Sequence, residues 1–105
     1  WFKYEASQTK ILQFAEQIAK VSKIPHSTME IDDKWNVHYG DFEFNRSKFP
    51  EPAQMVRLLS DMGFETTLWM TPFFACGSSG YREAAAKGYL VMNSSRPWQP
   101  AGSGA

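Results

Sequence analysis

The stretch Ser27-Thr28-Met29-Glu30-Ile31-Asp32 alternates polar and apolar residues with period two, and Glu65-Thr66-Thr67-Leu68-Trp69-Met70 reads as a second strand. Strict alternation is the pattern of a half-buried strand. Upstream of the first stretch, Ile11, Phe14, Ala15 and Ile18 recur at i, i+3, i+4, i+7, one face of an amphipathic helix. Ser7 or Thr9 can cap its start, and the pattern fades near Val21 before Pro25. Between the two stretches, Pro50 and Pro52 mark the entry to a second helix with an apolar stripe of Met55, Leu58, Leu59 and Met62. Gly63 then stands where a left-handed helix cap belongs.

After the second strand, ended by Thr71-Pro72, the loop Phe73 to Gly80 leads to a short helix from Tyr81 to Lys87, stopped at Gly88. Tyr89 to Met92 reads as one more short strand, and Trp1 to Tyr4 as the end of an earlier one. From Asp33 to Phe49 no helical period appears, and the alternation Asp41-Phe42-Glu43-Phe44-Asn45 allows a short edge strand or hairpin. Connections of that length are often functional. Alternating helices and strands argue for an α/β fold of right-handed βαβ units with a parallel sheet, either a barrel or a doubly wound sheet. Residues 1–92 carry this pattern; residues 93–105, ending Ala-Gly-Ser-Gly-Ala, have the composition of a tail or linker.

Composition narrows the function classes. The chain has 105 residues, with Lys+Arg and Asp+Glu both 11 and a formal net charge of zero. That balance supplies no general attraction to nucleic acid or an anionic membrane. Hydrophobic residues make up 43% and aromatics 15%, the make-up of a folded chain with aromatics to spare for a ligand surface. A single cysteine, Cys76, excludes an internal disulfide framework and reads as a plain buried or loop thiol. No apolar run is long enough to span a bilayer, and no signal peptide opens the chain. The first residue is Trp1 rather than Met, which implies a processed start or a piece of something longer.

The carboxylates Glu30, Asp32 and Asp33 gather at the C-terminal end of the first alternating strand, the end that faces ligand in α/β architectures. Alternation puts Thr28, Glu30 and Asp32 on one face and Met29 and Ile31 on the other. In the second strand Thr67, Trp69 and Thr71 share a face opposite Leu68 and Met70. Acids that accept hydroxyl hydrogen bonds beside an indole that packs on a C–H face suit a sugar. A plainer reading has Asp33 capping a turn, Asp32 bonding backbone amides and Trp69 filling the core, since turn acids are common and buried ones few. Clustered carboxylates also suit Mg²⁺, although no phosphate-binding lysine signature accompanies them.

Other features are weaker. His26 and His38 lack metal-ligand spacing to each other or to Cys76, so no metal site is assigned. Gly77-Ser78-Ser79-Gly80 before a helix could bind an anion through its amides, but without the rest of a phosphate-binding fingerprint it reads as an ordinary flexible loop. Asn45-Arg46-Ser47 and Asn93-Ser94-Ser95 are N-x-S sequons, and two of the three asparagines lie in them, which leans towards a glycoprotein of the secretory pathway or extracellular space.

Five runs together resemble glycoside hydrolase family 31: Ser7-Gln-Thr-Lys-Ile-Leu-Gln-Phe-Ala-Glu-Gln-Ile18, Met29-Glu-Ile-Asp-Asp-Lys-Trp35, Gly40-Asp-Phe-Glu-Phe-Asn45, Lys48-Phe-Pro-Glu-Pro52 and Gly63-Phe-Glu-Thr-Thr-Leu-Trp-Met-Thr-Pro-Phe73. The resemblance covers the chain to about Met92. It implies about three units of a (β/α)₈ barrel and retaining α-glycosidase chemistry, with an Asp nucleophile and a second acid as proton donor and base. It calls for no cofactor. In related α-glucosidases an Asp-Ile-Asp motif ends the second barrel strand, and its first acid binds sugar hydroxyls. Glu30-Ile31-Asp32 aligns with that motif, which gives Glu30 the role, and the change from Asp to Glu implies a different sugar, such as galactose. Trp69 aligns with an apolar wall of the same subsite. No acid of this chain matches the nucleophile or the acid/base motif.

A whole barrel takes about 250 residues, so the expectation is a barrel segment that binds an α-galactoside or α-glucoside and does not cleave it alone. Its open sheet edges invite self-association. Two rivals stand beside this reading: a non-catalytic carbohydrate-binding α/β module, and a Mg²⁺-dependent phosphoryl-transfer or receiver-like domain using Glu30, Asp32 and Asp33.

Overall fold

The computed structural model of the chain describes residues 5–100. The expected strand at Trp1–Tyr4 and the Ala-Gly-Ser-Gly-Ala end lie outside the described residues. The described chain forms two compact units, 5–37 with 43–70 and 38–42 with 71–100.

The first unit contains α1 (Gln8–Glu16), β1 (Thr28–Ile31), α2 (Pro52–Asp61) and β2 (Glu65–Leu68). Ser7 caps α1, its hydroxyl accepting the Lys10 N–H at 3.3 Å. The helix continues as a five-residue π segment, Gln17–Val21. Pro52 begins α2, where its missing N–H costs nothing, and Gly63 ends it at φ +88°. Gln8 ties the two helix starts together: its N–H donates to the Lys48 carbonyl, and its Oε1 accepts the Glu51 N–H.

β1 and β2 pair in parallel, with Thr28 opposite Glu65 and Ile31 opposite Leu68. The alternation read from sequence sorts the faces. Met29 and Ile31 are buried, while Thr28, Glu30, Glu65 and Thr67 are exposed. Ile31 joins Ile11, Ala15, Phe49, Met55 and Leu59 in one apolar core, with Leu68 packed against it. Burying a side chain such as Leu59 completely contributes roughly 1.5–3 kcal/mol. The helix stripes are narrower than the spacing predicts: Phe14 and Leu58, both at the i+3 position, remain 43% and 40% exposed. Met70, expected on the apolar face, is 60% exposed, because β2 ends at Leu68 and alternation stops with it.

His26 fastens the strand starts to the end of α2. Its Nδ1 lies 2.8 Å from the Ile24 carbonyl oxygen and its Nε2 2.6 Å from that of Met62, and the ring stacks on Phe64. Carbonyl oxygens only accept, so the two bonds form together only when both ring nitrogens carry protons. The bonds to Ile24 and Met62 accordingly hold the imidazole above its usual pKa, against a smaller opposing effect of burial.

The second unit contains α3 (Ser79–Lys87) and a minimal antiparallel hairpin, β3 (Met92–Asn93) with β4 (Arg96–Pro97). Helix α3 starts two residues before the sequence suggests, because Ser78 supplies its cap, and Gly88 stops it at φ +70°. The expected strand at Tyr89–Met92 is reduced to its last residue. The Asp41–Asn45 segment forms no strand: the Asp41 carboxylate is engaged with α3, and Asn45 opens a turn.

Candidate functional site

Parallel pairing decides where the chemistry-bearing residues meet. Because β1 and β2 run the same way, the residues that follow them emerge at one end of the sheet. The Trp69 N–H donates to the Ile31 carbonyl at 2.9 Å, extending the ladder one step beyond β2. Glu30 is exposed on the face opposite the core, beside Thr67 in the register. Asp32, Asp33 and Trp69 are half-buried just past the strand ends. The structure thus brings the acids and the indole to one end of one sheet.

The loop after β1 is a built turn. Asp32 Oδ1 accepts the Asp33 N–H at 2.8 Å, as the plainer reading supposed, and Lys34 follows at φ +67°. Two residues that sequence reasoning passed over hold this turn. Lys48 Nζ donates to the Lys34 carbonyl at 3.0 Å. Burial pushes the Lys48 ammonium below its usual pKa, with the Asp33 carboxylate acting the other way. Trp35 is buried, and its indole Nε1–H donates to the Trp69 carbonyl at 2.7 Å. Its ring lies 5.2 Å from Phe44, which lies 5.3 Å from Phe49. Trp35 thus fills the core, while Trp69 is half-buried just past the end of β2. A buried indole needs an acceptor, and a second strand end close by was the signal that could have marked Trp35.

Chemically, this end presents hydroxyl-accepting carboxylates of unequal exposure and one partly open aromatic surface. Among the described residues, no group of three or more His, Cys, Asp or Glu is placed to hold a metal ion. The Mg²⁺ alternative built on Glu30, Asp32 and Asp33 therefore lacks a donor cluster. Among the same residues, no helix is long and apolar enough to cross a membrane.

The Gly77–Gly80 segment, in the second unit, is tied by hydrogen bonds and does not offer its amides to an anion. Asp41 Oδ1 accepts both the Ser79 N–H, at 2.8 Å, and the Ser79 hydroxyl, at 2.9 Å. The Gly80 N–H donates to the Gly40 carbonyl, and the Tyr81 N–H to Ser78 Oγ. The first-turn amides are thus taken, and the favoured negative charge comes from the chain itself. The Ser79 N–H, with its hydroxyl and His38 at 3.0 Å, holds the Asp41 carboxyl below its usual pKa, against burial. Cys76 is an exposed loop thiol.

Parallel strands with helices between them, an apolar face towards the helices and acids at the strand ends are the parts of a βα barrel. The model of the glycosyl hydrolases family 31 TIM-barrel domain matches residues 1–104, and the chain belongs to this family. Over 84 residues, 80% of the chain, it is 43% identical to the myogenesis-regulating glycosidase of Mus musculus, and it spans 12% of that protein's length. Among solved structures it is similar to a family 31 α-xylosidase from a soil metagenome complexed with xylose, at 26% identity and a TM-score of 0.76 over 82% of this chain and 13% of that one. A family 31 dextranase of Flavobacterium johnsoniae complexed with isomaltotriose superposes with a TM-score of 0.75 at 28% identity, covering 84% of this chain and 11% of that one. The chain is a fragment of this barrel domain, a partial α/β barrel.

Proposed function

We propose that this segment supplies the sugar-binding ends of early barrel strands in a retaining α-glycosidase acting on an α-galactoside or α-glucoside. The observation that carries the reading is the parallel ladder, in which the Trp69 N–H on the Ile31 carbonyl puts residue 69 at the same sheet end as Glu30, Asp32 and Asp33. The relatives crystallised with xylose and isomaltotriose support a sugar as the ligand.

In this reading Glu30, exposed and acceptor-only when ionised, takes hydrogen bonds from sugar hydroxyls. Asp32 and Asp33 line the turn beside it, and Trp69 packs against the C–H face of the ring. Trp35 and Lys48 are positioning residues, the first holding the Trp69 backbone and the second the Lys34 carbonyl. Glu reaches one methylene further than Asp, so the hydroxyl it meets differs from that met by an Asp at the same place. Nucleophile and acid/base come from barrel residues outside these motifs, so the 105-residue polypeptide binds and does not hydrolyse. Among the described residues β1 and β2 pair only with each other, and the outer edges this leaves give such a polypeptide a route to self-association.

The test uses the enzyme that carries this segment. Glu30→Ala removes hydrogen bonds to a charged acceptor and is expected to lower kcat/KM by about 10–150-fold. Trp69→Ala is expected to lower it by roughly tenfold through lost apolar contact. Unchanged kcat/KM in both variants rejects the site. Turnover of an aryl α-galactoside or α-glucoside by the 105-residue polypeptide rejects the division of labour.

A further inference from the structure

We propose that Asn93 is an N-glycan acceptor in this protein and that Asn45 is not, although both stand in N-x-S sequons. The inference does not rest on the sugar-cleaving reading; it rests on how differently the chain uses the two asparagines.

Asn93 ends β3, and Ser94-Ser95 form the turn of the β3–β4 hairpin. Asn93 pairs with Arg96, Ser94 takes φ +56°, and all three sequon residues are exposed. A tight hairpin turn presents its side chains outward and makes few demands on them. A glycan here adds hydrophilic bulk to a surface that already faces water.

Asn45 is committed to the fold. Its N–H donates to the Trp35 carbonyl at 2.8 Å, and its carbonyl accepts the N–H groups of Lys48 and Phe49. Its side-chain Oδ1 accepts the N–H of Ser47, the hydroxyl residue of its own sequon, at 3.0 Å. It is half-buried and lies between Phe44 and the fully buried Phe49 along the turn. An asparagine whose oxygen closes an Asx-turn next to core aromatics has its amide plane fixed, and turning that amide out to carry a glycan breaks the turn.

The modification is a group transfer from a polyprenyl-pyrophosphate-linked oligosaccharide. Asn93 Nδ2 attacks C1 of the first sugar, and the Nδ2–C1 bond forms as the C1–O bond breaks. The bonding pair leaves on the pyrophosphate, and the amide proton passes to a base. The serine hydroxyl two residues on, Ser95, completes the acceptor motif.

The test is peptide mapping of the full polypeptide that carries this chain, produced in secretory eukaryotic cells and treated with peptide-N-glycosidase in ¹⁸O-labelled water. Isotope-marked conversion of Asn93 to aspartate, with Asn45 unmarked, is the expected result. Asn93→Gln and Ser95→Ala are each expected to abolish the mark, Ser95→Thr to retain it, and Asn45→Gln to leave it unchanged. An unmarked Asn93 overturns the proposal, as does a marked Asn45 with or without Asn93. The unsubstituted protein gives the decisive reading, so a variant that fails to fold does not blunt the test.

Discussion

In the unit that carries β1 and β2, Phe49, Ile31, Met55 and Leu59 are fully buried in one apolar core. In the unit that carries α3, the buried residues among those described are Gly40, Ser78 and Ala84, and order comes from polar contacts and close backbone approach. Apolar burial has no direction and is lost in proportion to the volume removed. The Gly40–Gly80 approach has almost no volume to lose, but it fails when volume is added: a Cβ on Gly80 would overlap the Gly40 carbonyl oxygen. One unit should therefore be sensitive to deletion and the other to insertion.

The largest effect should come from deletion in the core. Leu59→Ala is expected to cost about 2–5 kcal/mol and Phe49→Ala about 3–5 kcal/mol, read by urea denaturation of the polypeptide carrying this chain. Losses below about 1 kcal/mol would put the core somewhere else. Adding a single methyl comes next. Gly80→Ala is expected to cost about 1–3 kcal/mol, with faster amide exchange in α3 and unchanged exchange at Trp69. Equal acceleration in both places would erase the contrast between the units.

The smallest effect concerns His26. Its folded pKa is raised, so its stabilising contribution is complete below the unfolded value of about 6.5 and is lost as pH rises through the folded value. The melting temperature should therefore fall across that window relative to a His26→Phe variant, which keeps the stack on Phe64 and loses the titration. Parallel pH profiles for the two proteins would show that the ring contributes only its stack.

Much of the larger unit was legible because its signals are local and periodic. The alternation at Thr28–Ile31 named both faces correctly, and Pro52 and Gly63 bracketed α2. The failures fall where period gives way to tertiary contact. Met70 broke the pattern because the strand had already ended, which alternation cannot report. Trp35 lies in a stretch without any period, and its role depends on a carbonyl 34 residues away. Lys48 reads as a surface lysine until the left-handed Lys34 offers it an acceptor. In the smaller unit, Gly77–Gly80 looked flexible because its anchor, Asp41, is distant in sequence. The position of Glu30, Asp32 and Asp33 at a strand end was legible, since strand ends follow from strands. The turn that orients them was not.

The parallel register also has a consequence during synthesis. Thr28 must wait for Glu65 before β1 gains the partner it has here, and no tight turn can shorten that wait. At roughly 5–20 residues per second, the nascent chain carries β1 without β2 for on the order of 2–7 s. During that interval the edge of β1 that β2 later occupies offers its N–H and C=O groups to any other chain within reach. The charge of Glu30, set between Met29 and Ile31, is what discourages such pairing. Glu30 thus has a part to play as a gatekeeper while the chain is still being made.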